Sequence, residues 1–231
     1  MITTIICTVF YWLGLADFNQ QADEFFKTYV EDGQVKYQEL SANPQPIQDL
    51  YKQLSDISLE ETSAAERKAF YINAYNLITI YQIVERFPVG SPMDIPGFFD
   101  KIKHTVAGES LTLNELEKER LFTRHFDARL HFVLVCAAKS CPSLANFAYR
   151  AENLDTQLEE KTKQALNDPN FIRVKSRKQQ VAVSKIFEWY KEDFLKESSS
   201  LIAYINQYRD KPISTQFTVA FYEYNWQLNQ L

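Results

Sequence analysis

A chain of 231 residues, 45% hydrophobic and 14% aromatic, can bury a sizeable core, and this excludes wholesale disorder. Five glycines and eight prolines exclude a collagenous or low-complexity chain. The formal net charge of −5 argues against nucleic acid as the main partner, because a phosphate-tracking surface needs a basic face; the one dense basic run, Arg173, Lys175, Arg177 and Lys178, reads as a solvated β-hairpin.

From Ile2 to Ala16 the chain carries no charge, and Ile5, Ile6, Val9, Phe10, Trp12, Leu13 and Leu15 form an apolar run. Gly14 and Ala16 place small residues at the third and first positions before Asp17. The run is shorter than the ~20 apolar residues a membrane span needs, and it suits the core of a signal peptide, although no Lys or Arg precedes it. Residues 1–16 are therefore expected to be a leader and 17–231 a single globular domain without a transmembrane segment; the competing reading is a buried N-terminal strand or helix. An exported location, periplasmic or extracellular, follows if the leader is cleaved, and a cytoplasmic one otherwise. Cleavage would remove Cys7 and leave Cys136 and Cys141, which an oxidising compartment could join and a reducing one would leave free.

Residues 17–30 look helical, and an extended piece follows over 35–40. Pro44 and Pro46 sit at the start of a second helix with Ile47, Leu50, Leu54 and Ile57 on one stripe. Ser63 and Glu66 form a capping box that opens a helix running to about Arg86, before Phe87-Pro88. Between Ala69 and Val84 only Asn73, Asn76, Thr79 and Gln82 interrupt its apolar residues, so this helix belongs in the middle of the fold. The four polar residues, three apart, lie as a slanting ridge along it. A hairpin around Ala107-Gly108, a second capping box at Thr112 and Glu115, and a helix through Leu121 come next. Alternation over 129–136 predicts a strand with His131 and Cys136 on opposite faces. Helix 153–167, a hairpin around Arg177-Gln180, helices 186–195 and 198–209 and an aromatic strand over 217–226 complete an α+β fold, helix-dominated, with a long buried central helix and a small, mainly antiparallel sheet.

Residues 131–142 concentrate the chemistry. Proline favours the first helical position, so Pro142 makes Cys141 the expected N-cap of a helix, where the dipole and unpaired donors favour a thiolate. Cys141 then reads as a nucleophile, His131 as its base, and Glu117 or Asn73 as the group that orients the base. Backbone donors after Cys141 would form an oxyanion hole. Asn76, Ser140 and His104 complete the expected set as substrate contacts. Against this stand a buried or bridged cysteine pair, a hydrogen-bonded core histidine, and asparagines that brace backbone instead of lining a cleft. Glu115, Glu117 and Glu119 read as one exposed charged helix, and the C-terminal tyrosines and Trp226 as core. His131, Cys136, Cys141 and Glu117 or His104 are metal-ligand types without metal-site spacing, so neither a metal nor another cofactor is expected.

FYINAYNLITIYQIV (70–84), VAGESLTLNELE (106–117), RLHFVLVCAAKSCPSL (129–144), VAVSKIFEWYKEDF (181–194) and EYNWQLN (223–229) together resemble the family known as domain of unknown function 547, over roughly residues 20–230. The resemblance implies shared motif residues at Asn73, Asn76, Glu117, His131, Cys136, Ser140, Cys141 and Pro142, and an exported protein. Many members carry histidine directly after the motif glutamate, where this chain has Lys118, so a mechanism built on that histidine does not carry over. The functional expectation is a thiol-dependent hydrolase or acyl-transferase acting on a peptide, amide or other small molecule. Its rival is a non-catalytic extracytoplasmic binding or scaffold domain in which the Cys136–Cys141 segment is structural.

Overall fold

The computed structural model describes the backbone from Ile2 to Leu231 and the side chains from Gly14 onward. The expected leader falls largely outside the described side chains. Helix α1 (Ile2–Tyr29) leads into a hairpin of β1 (Val30–Glu31) and β2 (Gln34–Val35), then α2 (Tyr37–Ala42) and α3 (Gln45–Asp56). Of the expected extended piece over 35–40 only Val35 is strand; the chain turns helical at Tyr37, whose ring is fully buried.

Helix α4 (Ala64–Val84) is the centre of the fold, and its capping box forms as the sequence predicts: Ser63 Oγ accepts from Glu66 N at 3.2 Å and Ser63 N donates to the Glu66 carboxylate at 2.7 Å. The polar ridge on α4 staples three loops. Asn73 holds both backbone groups of Tyr149, at 2.9 and 2.8 Å, and Asn76 holds Val133 O and Val135 N, at 2.9 and 3.0 Å. Gln82 donates to Phe98 O at 3.2 Å.

The hairpin of β3 (His104–Val106) and β4 (Glu109–Leu111) forms as expected, followed by α5 (Leu113–Glu115) behind the Thr112 capping box. The helix then widens into a π-helical stretch, Leu116–Phe122. Further on come α6 (Leu154–Asn167), β5 (Ile172–Lys175), β6 (Gln180–Val183), α7 (Ile186–Trp189), α8 (Lys191–Glu197), α9 (Leu201–Asn206) and β7 (Thr218–Phe221). Strand β6 pairs antiparallel with β5 and parallel with β7, so the sheets are small and mainly antiparallel. The basic run lies on the exposed β5–β6 hairpin.

Three sequence expectations fail here. The strand over 129–136 is absent: Ala128–Phe132 is a 3₁₀ turn whose N-terminus Asp127 caps through Arg129 N, and the residues after it are irregular. Its apolar alternation has another cause. Leu130, Val133 and Val135 pack into a core built on α1–α4, while Ala128 and Phe132 pack into a second core built on β5, β6 and α7–α9. No helix starts at Pro142 either; residues 142–150 are irregular. The C-terminal strand stops at Phe221, and the chain beyond it pairs with other partners.

Candidate functional site

A cavity of about 320 Å³ opens at the seam between the two cores. Tyr75 of α4 and Glu117 of the π turn enter from the first core, Ile186, Trp189 and Tyr190 from α7 and the residue after it, and Tyr224 and Trp226 from the C-terminal segment. His131, Leu134, Cys136, Cys141 and Pro142 close the remaining side. Trp189, Tyr224 and Trp226 pack on one another with ring centroids 4.7–5.9 Å apart, making one aromatic wall. The C-terminal aromatics expected in the core are therefore walls of this hollow.

Glu117 lies on the π-helical stretch, two residues from Glu115 and from Glu119 and so on the opposite side of the helix from both. Glu115 is half-buried and caps Thr112, and Glu119 is exposed beside Arg120, whereas Glu117 is buried, correcting the exposed-helix expectation. A π turn changes which residues share a face and is common at functional sites. Burial pushes the Glu117 carboxyl above its usual range; the Tyr190 hydroxyl, Lys118 and the Tyr75 hydroxyl offset part of this, and the Asp193 charge adds to it.

His131 lies between the rings of Phe122 and Tyr190, with centroids 4.5 and 4.1 Å away, and its Nε2 donates to Asp193 Oδ2 at 3.0 Å. Its orienting group is thus Asp193 of α8, neither Glu117 nor Asn73. Burial pulls the imidazole below its ordinary value, against the pull of Asp193, so the ring is neutral at neutral pH with the proton on Nε2. Asp193 stays ionised, held down to about 2 by the His131 hydrogen bond and by Lys196. Its folded pKa lies below the unfolded 3.8, so its stabilisation is complete above that value and is lost as pH falls toward about 2. Asp193→Asn is expected to cost about 1–2 kcal/mol at about pH 7 and to flatten the acid limb of the stability profile, measured by urea unfolding.

Cys136 and Cys141 are joined as a disulfide, with Cα atoms 6.3 Å apart. Three donors converge on Cys141 Sγ: Cys136 N at 3.1 Å, Ala138 N at 3.4 Å and the Tyr224 hydroxyl at 3.3 Å, the last also 3.1 Å from Cys136 Sγ. These replace the helix dipole expected at Cys141. Cys141 also borders a second hollow, lined in part by Lys139, Lys161 and Asp168, where burial lowers Lys161 to about 8.

The loop inside the bridge is tied to the C-terminal segment. Lys139 N donates to Gln227 O at 2.7 Å, Ser140 N to Asn225 O at 3.2 Å and Asn229 N to Ala137 O at 3.0 Å, while Ser140 Oγ accepts from Asn225 N at 2.8 Å. Ala137 is held at φ +61°, a conformation unfavourable for a residue with a Cβ. Ala137→Gly is expected to stabilise the fold by up to about 1 kcal/mol, read from the urea midpoint.

Of the residues expected at the site, Glu117, His131 and Cys141 line the cavity, joined by Cys136. The others lie elsewhere. Asn73 is spent on Tyr149, Asn76 supports the segment leading to Cys136, and Ser140 binds Asn225 N. His104 sits in another hollow with its Nδ1 2.9 Å from the Tyr51 hydroxyl, and burial lowers it to about 4. Sequence reasoning missed Asp193, Tyr75, Tyr190 and Trp189, which reach the site from distant parts of the chain; the SKIFEWYKED run was the one signal for three of them. Among the described residues, no three His, Cys, Asp or Glu side chains converge as a metal site, and no helix is long and apolar enough to cross a membrane.

No curated protein and no solved structure matches the chain. The VAVSKIFEWYKEDF and EYNWQLN stretches, with Asp193, Tyr224 and Trp226, lie outside the family match, which is shorter than the likeness expected from the sequence. The matching family model, described as "Protein of unknown function, DUF547", covers residues 59–165, and over that segment, which carries Tyr75, Glu117, His131, Cys136 and Cys141, the chain resembles that family.

Proposed function

We propose that this domain binds a small organic ligand in the aromatic cavity, with the Cys136–Cys141 bridge as a structural part of its wall. The observation that carries the reading is the cavity itself: about 320 Å³, walled by six aromatic side chains, with the buried Glu117 carboxyl, the His131 imidazole and the Asn114 amide among its polar points. Apolar walls with a few fixed polar groups are the usual make-up of a ligand pocket. The sulfur that would attack a substrate is already bonded, which favours binding over resident thiol catalysis. An extracytoplasmic location would keep the bridge closed. The test is a fluorescence titration of non-reduced protein with indole, phenol and benzyl alcohol, since Trp189 and Trp226 both face the cavity. Saturable quenching by at least one of the three, abolished in Tyr190→Ala, is expected; linear, variant-independent quenching by all three contradicts the reading.

A second reading rests on the three donors at Cys141 Sγ, which would hold a thiolate once a dithiol reductant opened the bridge. Cys141 would then attack a peptide or amide carbonyl carbon, and Glu117, whose carboxyl burial pushes above its usual range, would give its proton to the departing nitrogen. Water would cleave the thioester. This reading expects reduced protein to be alkylated by iodoacetamide at Cys141 and spared at Cys136; equal labelling of both, or of neither, counts against it.

A further inference from the structure

The cavity's chemistry narrows the ligand class. Its lining contains no lysine and no arginine, so its one acidic lining residue, Glu117, meets no cationic side chain across the hollow. Lys118 is the neighbouring residue on the chain but is not part of the lining, and the other groups that act on Glu117 are two tyrosine hydroxyls and the Asp193 carboxylate. Tyr75 and Tyr190 act on the carboxyl directly, and Tyr224, Trp189, Trp226 and Phe99 line the same cavity. Aromatic rings present negative faces, and tryptophan and tyrosine are the strongest partners for an organic cation. Carboxyl and ring faces therefore act in the same direction on a cation, whereas a neutral guest gains nothing from that charge.

We infer that the natural ligand carries an alkylated ammonium group, held against the Trp189–Tyr224–Trp226 wall with Glu117 as its counter-charge. This rests on the ligand-binding reading above. The bulk of the rings favours an apolar cation, such as a trimethylammonium head, over a hydrated metal ion, because methyl groups gain contact area where water ligands would be stripped. The alkylated ammonium could belong to a free small molecule or to a lipid headgroup, and the chemistry at the cavity is the same for both.

The experiment compares choline with 3,3-dimethylbutan-1-ol, its neutral isostere, by calorimetry on the full non-reduced chain. Choline is expected to bind at least about tenfold more tightly than the alcohol, the contribution of a paired charge being about 1.4 kcal/mol per factor of ten. Glu117→Gln keeps shape and removes charge; it should weaken choline at least about tenfold and leave the alcohol unchanged, with thermal unfolding as the folding control. Trp226→Leu is the second variant, expected to weaken choline more than the alcohol. Phosphatidylcholine vesicles distinguish the sources: co-sedimentation that choline reverses assigns the headgroup, and its absence assigns the free molecule. Equal affinities for the two isosteres, or no choline binding, overturn the inference. If indole or phenol still bind, the ligand-binding reading stands without it; if nothing binds, both fall.

Discussion

Replacing Asn76 with alanine is expected to destabilise the domain by about 3–5 kcal/mol, because a buried donor and a buried acceptor both lose their partner and each orphaned group costs about 1–3 kcal/mol. Asn76 is 2% exposed and its amide satisfies Val133 O and Val135 N, two backbone groups that no strand partner serves. Against a total stability of about 5–15 kcal/mol, this is a large fraction. The measurement is urea unfolding at constant slope, with a fall in thermal midpoint of roughly 10 °C as its companion. Because the lost contacts position the segment leading to Cys136 and the cavity, ligand affinity should fall as well. Asn73→Ala should cost a similar amount through Tyr149 while changing ligand affinity less, since neither Asn73 nor Tyr149 lines the cavity. A loss below about 1 kcal/mol for Asn76→Ala would mean that water serves the freed groups.

The second large effect belongs to the bridge. Double replacement of Cys136 and Cys141 by alanine is expected to cost about 2–4 kcal/mol, at the lower end because the closed loop is short. Reduction of the unaltered protein should cost the same. The bridge closes a loop with a sequence separation of 5 that already contains Ala137 at φ +61°, so without it the loop relies on its backbone bonds to residues 225–229. Ligand affinity of the refolded double variant should stay within a few-fold of the parent on the binding reading. Complete loss of binding with little loss of stability would instead assign the sulfurs a direct part in the chemistry.

The elements with local signals were legible in the sequence. Both capping boxes, the buried central helix and the hairpins at Ala107-Gly108 and Arg177-Gln180 formed where residue spacing placed them. The stretch 129–136 misled because alternation reports which residues are buried and does not report what buries them. A strand facing one core and solvent gives the same pattern as an irregular segment threaded between two cores. Its backbone groups are served by an asparagine 57 and 59 residues away, a pairing that no local pattern announces.

The site was half legible for the same reason. Glu117, His131 and Cys141 drew notice by residue type, yet the orienting acid lay 62 residues from His131 in an ordinary charged helix. Glu117 itself looked solvated because its acidic neighbours marked the segment as a charged surface helix; yet residues two apart lie on opposite sides of a helix, so the spacing alone set Glu117 across from Glu115 and Glu119. Tyr224 and Trp226 of the aromatic wall read as core for a sound reason. Half-buried tryptophan and tyrosine have the same composition whether they face packed side chains or a hollow.

The distinction between a ligand-binding cavity and a resident nucleophile turns on whether the two sulfurs are joined. Intact-mass measurement of the native, non-reduced protein after brief iodoacetamide treatment at about pH 6.5 decides it most directly. The account predicts a mass two hydrogens below the dithiol form with no adduct at Cys136 or Cys141, the cysteines that form the bridge. An adduct at Cys141 without prior reduction would contradict it, and would make thiol catalysis the reading to pursue.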